Sequence, residues 1–321
     1  MPSTVGTPLL WIGFLVLVFI MLALDLGVFN RKTHRIGMRE AIFWSVVWTL
    51  VALVFNGWVY QRFGRQLGLD FLTGYVIERS LSFDNIFVFI VIFNYFKVPA
   101  ELQHRVLFWG ILGALISRGI FIVAGTELLS RFEWLIYVFG AFLVYTGVKV
   151  LVQKDTQIEP ERNPVVGLFK RFTPLTDRYH GKRFFIEEAG RRLATPLLLV
   201  LVVVESTDVV FAVDSIPAVL AITRDPFIVF TSNIFAILGL RALYFLLASL
   251  MHKFHYLSYG LGLVLMFVGV KMLIHHFYVI PTAISLWVVL VLLALSIGIS
   301  LLRSRGVEPE AADRPSETSI D

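Results

Sequence analysis

Five carboxylates lie inside stretches of sequence that are otherwise apolar enough to enter a bilayer. Val200 to Ala221 reads VLVVVESTDVVFAVDSIPAVLA and holds Glu205, Asp208 and Asp214, with Pro217 just beyond. Ile77 to Asn85 reads IERSLSFDN and holds Glu78 and Asp84. One acid at mid-bilayer costs roughly 2.5–3.5 kcal/mol on insertion scales, so acids kept there mark a functional site. Together the five offer up to ten carboxylate oxygens. Five negative charges cannot share one site unpaired, so either a cation is held or several acids are protonated. All-oxygen coordination suits Mg²⁺, Ca²⁺ and Mn²⁺ better than copper or thiolate-bound zinc.

Helical spacing says which of these groups can face one another. At 100° per residue Glu78, Ser82 and Asn85 fall within about 60° of each other, and Asp84 lies about 120° away on the flank. Glu205 and Asp208 are an i, i+3 pair on one face. Asp214 points away from Glu205 in an ideal helix. Pro217 cannot donate to the carbonyl of Val213, so a break around Asp214 to Pro217 is expected, turning that carboxylate back toward the others. A structural reading stands beside the chemical one: the acids pair with Arg79, Arg118 or Arg241, or tie helices together by hydrogen bonds. Arg118 and Arg241 read as structural or pKa-setting partners. Asp25 is open between pairing at a helix end and an accessory gate, and Asn233 between a neutral ligand and helix packing. The histidines fall at span ends or in loops, so a histidine metal centre is not expected.

The elements that must carry these groups are membrane spans. The chain of 321 residues is 57% hydrophobic and only 16% charged, with mean hydropathy +0.79. A soluble domain carries about 25% charged residues, so this composition needs lipid around it. Cysteine is absent, which removes disulfides, thiolate ligands and thiol redox chemistry. No catalytic motif or cofactor motif is present, and no enzyme activity is expected. Apolar runs predict an all-α polytopic fold of about nine spans: Pro8 to Phe29, Glu40 to Tyr60, Asp70 to Phe96, Gln103 to Leu129, Phe132 to Val152, Ala194 to Ile222, Pro226 to Met251, Tyr256 to His275 and Pro281 to Leu302. The first reads as an uncleaved anchor. The domain layout is a two-helix segment (1–60), a three-helix unit (70–152), a polar loop (153–193), a second three-helix unit (194–276), a final helix (280–303) and a polar tail (304–321). The loop is expected to have little packed structure and to lie against the membrane, and the tail to be disordered.

The net charge of +5 reports orientation rather than nucleic-acid binding. Arg31, Lys32, Arg35 and Arg39 crowd one short loop, and the loop 153–193 is rich in Lys and Arg. The alternate loops hold only Arg62, Arg65, Arg131 and Arg224. The rule places the basic side in the cytoplasm, the N-terminus outside and the C-terminus inside. Asp84 and Asp208 each lie 14 residues into their expected spans from opposite faces, roughly 21 Å along helices at 1.5 Å per residue. Both then reach mid-bilayer.

An internal repeat links the two acidic stretches. LIYVFG at Leu135 with YTGVKVL at Tyr145 parallels LSYGLG at Leu257 with FVGVKML at Phe267, offset by 122. Arg118 then matches Arg241, and Asp84-Asn-Ile-Phe matches Asp208-Val-Val-Phe. Units of three spans re-enter the membrane upside down, giving a 3+3 inverted repeat of the kind that places a transport site between its halves.

Glu78-x3-Ser82-x-Asp84-Asn85, Glu205-Ser-Thr-Asp208-x5-Asp214-Ser-Ile-Pro217 and Thr231-Ser-Asn233-x7-Arg241 resemble the TerC family of integral membrane proteins, its Alx branch most of all. The resemblance runs from about Val5 to Leu302. It implies an exporter of the bacterial inner membrane with 3+3 inverted repeats. It also implies Mn²⁺ as the transported and bound ion, and a link to alkaline conditions. Proton exchange at the same carboxylates is a coupling mechanism that fits buried acids. The family name refers to tellurium resistance, and the branch also carries a redox-modulator label, which a chain without cysteine does not support. Two alternatives are kept: a non-transporting membrane scaffold or stress protein acting through the loop 153–193, and export of another small cation. The expected partners are the ion and the lipid bilayer. Neither the oligomeric state nor the choice among divalent ions is legible in the residues.

Overall fold

The computed structural model describes residues 4–29, 37–152, 164–176, 178–188, 191–248 and 257–304. Its order is α1 (Pro8–Phe29), α2 (Met38–Phe63), α3 (Arg65–Tyr95), α4 (Ala100–Arg131), α5 (Leu135–Val152), α6 (Pro164–Phe172), β1 (Phe185–Glu188), β2 (Arg191–Ala194), α7 (Pro196–Leu220), α8 (Pro226–Leu238), α9 (Leu240–Ala248), α10 (Leu257–Ile274) and α11 (Thr282–Ser304). Among the described residues, α2, α4, α5, α7 and α11 are long and apolar enough to cross a membrane, and the bent pair α8–α9 makes a sixth. The apolar side chains on the outside form a lipid-facing surface: Leu9, Val54 and Trp287 are 79%, 75% and 69% exposed. The inside is correspondingly unlike that of a soluble protein. The largest wholly buried side chains are Arg118 and Arg241.

Pro217 does not break α7, contrary to the expectation from sequence. The helix continues to Leu220, and the Pro217 carbonyl accepts from Ala221 N at 3.0 Å. The proline stands in the last turn, so its missing N–H removes one bond near an end that is already finishing. The break comes in the next span, at Gly239, where α8 and α9 meet at 41°. There the Arg79 guanidinium packs against the Gly239 backbone, and Arg79 Nη1 donates to the Ala236 carbonyl at 3.0 Å. That carbonyl lies in the last turn of α8 and would otherwise be left without a donor in a dry interior. Asp225 fixes the other end of α8: its side chain accepts from Phe227 N at 2.9 Å and Ile228 N at 3.2 Å. It also holds Val5 N at 2.7 Å.

A second departure from sequence is the hairpin β1–β2, paired antiparallel from Phe185↔Ala194 to Glu188↔Arg191, in a fold expected to be all helix. With α6 it gives part of the loop 153–193 a packed structure. Tyr179 Oη donates to the Phe96 carbonyl at 2.8 Å, Thr195 Oγ1 to the Arg183 carbonyl at 2.8 Å, and Arg105 lies 4.8 Å from the Phe184 ring centroid. Arg192 similarly covers Phe185 at 4.3 Å. These contacts use arginine stems and guanidinium faces to cover aromatic surface at the end of the bundle.

Helices α5 and α10 cross in antiparallel contact through glycines. A Cβ at Gly147 would stand 2.7 Å from the Gly262 carbonyl oxygen, and one at Gly262 3.0 Å from that of Gly147. At Gly269 and Gly140 the same two distances recur, 2.7 Å and 3.0 Å. Small residues let two backbones approach where lipid supplies no hydrophobic drive to press them together.

Two apolar cores meet around the acidic stretches. On α3 the buried apolar residues up to Leu81 belong to one core and those from Ile86 to the other. On α7 the assignment reverses in direction: residues up to Val204 belong to the second core and those from Ala212 to the first. The changeover brackets Asp84 on one helix and Asp208 on the other.

Candidate ion site

Four helices deliver one charged side chain or amide each to a closed cluster. Glu78 comes from α3, Arg118 from α4, Asp208 from α7 and Asn233 from α8, with exposures of 0%, 0%, 4% and 0%. Arg118 holds Asp208 as a bidentate pair, Nη2 to Oδ1 at 3.1 Å and Nε to Oδ2 at 3.4 Å. Its Nη1 donates to Glu78 Oε1 and, at 3.2 Å, to Asn233 Oδ1. One guanidinium thus binds two carboxylates and an amide oxygen, which its planar fork of five donors allows. The second oxygen of Glu78, Oε2, and Asn233 Nδ2 are buried without a hydrogen-bond partner. The two acids and one base leave a net negative charge. In a site this dry it can be neutralised by a cation or by a proton.

The remaining acids do not join this cluster. Glu205 shares its face of α7 with Asp208, as the i, i+3 spacing requires, but its carboxylate lies against the backbone of α4 at Gly113, where any side chain would overlap it. Asp214 lies about 9 Å further along α7 than Asp208, at 1.5 Å per residue. It accepts from Thr146 Oγ1 of α5 at 3.4 Å, with Lys149 as a charged neighbour. Because α7 is unbroken, Asp214 is not turned back toward Asp208. Ser82 directs its hydroxyl to the Glu78 carbonyl at 2.8 Å rather than to the acids, and Asn85 is buried nearby on α3. Arg241 is buried on α9. The side chains of Asp25 and Asp84 lie outside the described residues. Among the described residues no three acidic or histidine side chains stand close enough to share a metal ion.

A cavity of about 10 Å³ touches Asp208 and is walled by Phe89, Leu107, Val204, Ile237 and Leu240. That is about the space of one water. The groups that sequence reasoning did not single out are Gly113, Thr146 and the Arg79–Gly239 contact. Each depends on which helix stands opposite, and no motif in the chain announces that.

Apolar spans that surround a buried cluster of acids and an arginine define an integral membrane protein with an intramembrane charge site. Residues 63–308 match the family described as integral membrane protein TerC family. A relative from Myxococcus xanthus, described as an uncharacterized membrane protein, is 54% identical over 312 residues, covering 97% of this chain and 98% of its own. One from Escherichia coli K12, which carries the provisional name membrane-bound redox modulator Alx, is 50% identical over 303 residues, covering 92% and 94%. An uncharacterized membrane protein of Rickettsia bellii is 39% identical over 298 residues, covering 93% and 99%. No solved structure gives a significant match. The chain belongs to the TerC family of integral membrane proteins.

Proposed function

We propose that this chain is a transporter rather than an enzyme, exporting a divalent cation, Mn²⁺ before Ca²⁺ or Mg²⁺, across the bacterial inner membrane. The observation that carries the reading is the convergence of Glu78 and Asp208, from different helices, on Arg118 at essentially zero exposure. Arg118 occupies the acids as a tethered cation. An arriving ion is bound by displacing the guanidinium, taking Glu78 and Asp208 as hard oxygen ligands with Asn233 as a neutral one. Glu205 and Asp214 flank this centre along α7 as stations before and after it, and Asp84 contributes from α3 as the repeat partner of Asp208. Asn85, Ser82, Asp25 and Arg241 are accessory. Protons on the same carboxylates replace the ion on the return step, so that the site is never left with bare charge.

Nine spans and a 3+3 inverted repeat underlie this mechanism. We take α1, α3 and α10 as spans beside the six apolar ones, nine in all, and the excess of Lys and Arg in alternate loops favours an N-terminus outside and a C-terminus in the cytoplasm. The glycine contacts support the repeat. The sequence offset of 122 equates Gly140 with Gly262 and Gly147 with Gly269, and a two-fold axis between α5 and α10 maps each observed contact onto the other with its distance preserved. Rocking of one half on the other would open one apolar core or the other at the acids.

The name of the Escherichia coli relative favours a second reading, a membrane-bound redox modulator. This chain has no cysteine with which to do thiol chemistry, so such a role would need a soluble partner acting through the loop 153–193. Elemental analysis of cells expressing wild type, Asp208→Asn, Glu78→Gln and a loop deletion separates the two. Export predicts raised cellular Mn and lost resistance to added Mn²⁺ in the acid variants. Normal Mn in both acid variants, with stress survival lost only on loop deletion, would establish the second reading instead.

A further inference from the structure

We infer that the end of the bundle where α3 and α11 begin and α7 and α10 finish carries a binding site for a small oxyanion, centred on Lys271. The inference is independent of the export reading. A cavity of about 320 Å³ opens there, lined by Gln66, Ile136, Ile222, Lys271, His275 and Thr282 among others. It is far larger than the ~10–15 Å³ that one water needs. Lys271 stands in the last turn of α10, a position from which a lysine ordinarily carries its ammonium out to water. Here it is 92% buried, with only 8% of its surface exposed. Among the described residues no carboxylate oxygen lies within 4.0 Å of its ammonium.

Asp70 is a charged neighbour of Lys271 but does not line the cavity. Asp70 is already committed. Its Oδ1 accepts from Thr282 Oγ1 at 2.8 Å and from Gln66 Nε2 at 3.0 Å, and Gln66 Nε2 is shared with Thr282 Oγ1 at 3.0 Å. The cavity therefore presents a buried ammonium, an imidazole at its rim, and the N-terminus of α11, a helix long enough to add a full partial positive charge. The ammonium disfavours a cation in this cavity. A phosphate-like oxyanion, whose oxygens all accept hydrogen bonds, matches the wall it would face. Free inorganic phosphate and the phosphate of an anionic lipid headgroup share this chemistry.

The test is calorimetric titration of the full-length protein with inorganic phosphate in a gluconate buffer. Wild type is expected to saturate, Lys271→Gln to lose about tenfold or more in affinity, and Lys271→Arg to keep most of it. Asp70→Asn, which removes the competing negative charge, is expected to tighten binding several-fold, and Lys182→Gln in the loop to leave it unchanged. The opposite signs at Lys271 and Asp70 keep the test decisive even where one variant folds poorly. Comparing phosphatidylcholine with phosphatidylglycerol nanodiscs identifies the source. A headgroup occupant weakens the apparent phosphate affinity in phosphatidylglycerol for wild type but not for Lys271→Gln, and a free anion gives equal affinities in both. The proposal is overturned if wild type binds no phosphate and shows no lipid dependence, if Lys271→Gln binds as wild type does, or if Asp70→Asn weakens binding while Mn²⁺ alone saturates the cavity.

Discussion

Gly147 of α5 and Gly262 of α10 meet backbone to backbone, each leaving no more than 3.0 Å for a side chain before the other's carbonyl oxygen. A methyl group on either side would press on main chain, which cannot rotate away. Gly147→Val and Gly262→Val are therefore expected to lower stability by about 1–3 kcal/mol or more, the usual cost of overpacking. The same substitutions at Gly140 and Gly269 should cost about as much, because the same close distances recur there. Thermal unfolding of the detergent-solubilised protein checks this. A tolerated valine at Gly147 would show that the helices are not in main-chain contact.

Removing Arg118 should be far more damaging than removing its partners. Arg118→Met leaves Glu78 and Asp208 buried without a counter-charge, and breaking a buried pair from one side costs about 3–5 kcal/mol. Adding Glu78→Gln and Asp208→Asn to Arg118→Met should recover most of that loss, because the triple variant buries no charge in the cluster. Denaturant unfolding of wild type, Arg118→Met, the Glu78→Gln/Asp208→Asn double variant and the triple variant gives the coupling, and additive effects would mean that the charges do not interact.

Glu205 rests on the bare backbone of Gly113. Gly113→Ala displaces the carboxylate without altering any charge, and it is expected to slow manganese efflux while the protein still inserts and folds. Gly110→Ala is the matched comparison: its new methyl would lie 3.3 Å from a Val204 methyl, a contact that a small adjustment accommodates. Radioactive manganese efflux from loaded cells distinguishes them, and equal rates in both variants would remove Glu205 from the proposed export path.

The packed part of the loop has its own pH limit. Burial pushes the Tyr179 phenol up to about 12, and only the protonated phenol can donate to the Phe96 carbonyl. The sign follows directly. A group whose folded pKa lies above the ordinary value near 10 adds stability that is complete below pH ~10 and fades as pH rises toward ~12. The phenolate absorbance of wild type minus Tyr179→Phe should show a titration displaced to that higher range. A midpoint near 10 would place Tyr179 in water.

Much of this molecule was legible before any coordinates. The acids of Val200 to Ala221 and Ile77 to Asn85 cannot be mistaken for a soluble surface. The i, i+3 face shared by Glu205 and Asp208 follows from the helical repeat alone. The Pro217 break was misread because a proline's effect depends on how much helix remains beyond it. In α7 only three residues follow, so the chain has little to bend. The break at Gly239 was not legible, since a lone glycine in an apolar run becomes a bend only when a neighbour such as Arg79 fills the space and takes up the freed carbonyl.

What the sequence determined by itself is the membrane class, the family, and which groups share a face of their own helix, because hydrophobic run length and a 3.6-residue period are local properties. What only the tertiary structure decided is which face meets which. Arg118 stands 40 residues from Glu78 and 90 from Asp208, yet helix packing seats it between them. The same packing carries Asp214 to Thr146 on α5 and buries Lys271 in the wall of a cavity. Partners across helices are set by crossing angle and by where small residues permit close approach, and no spacing along one helix contains that information.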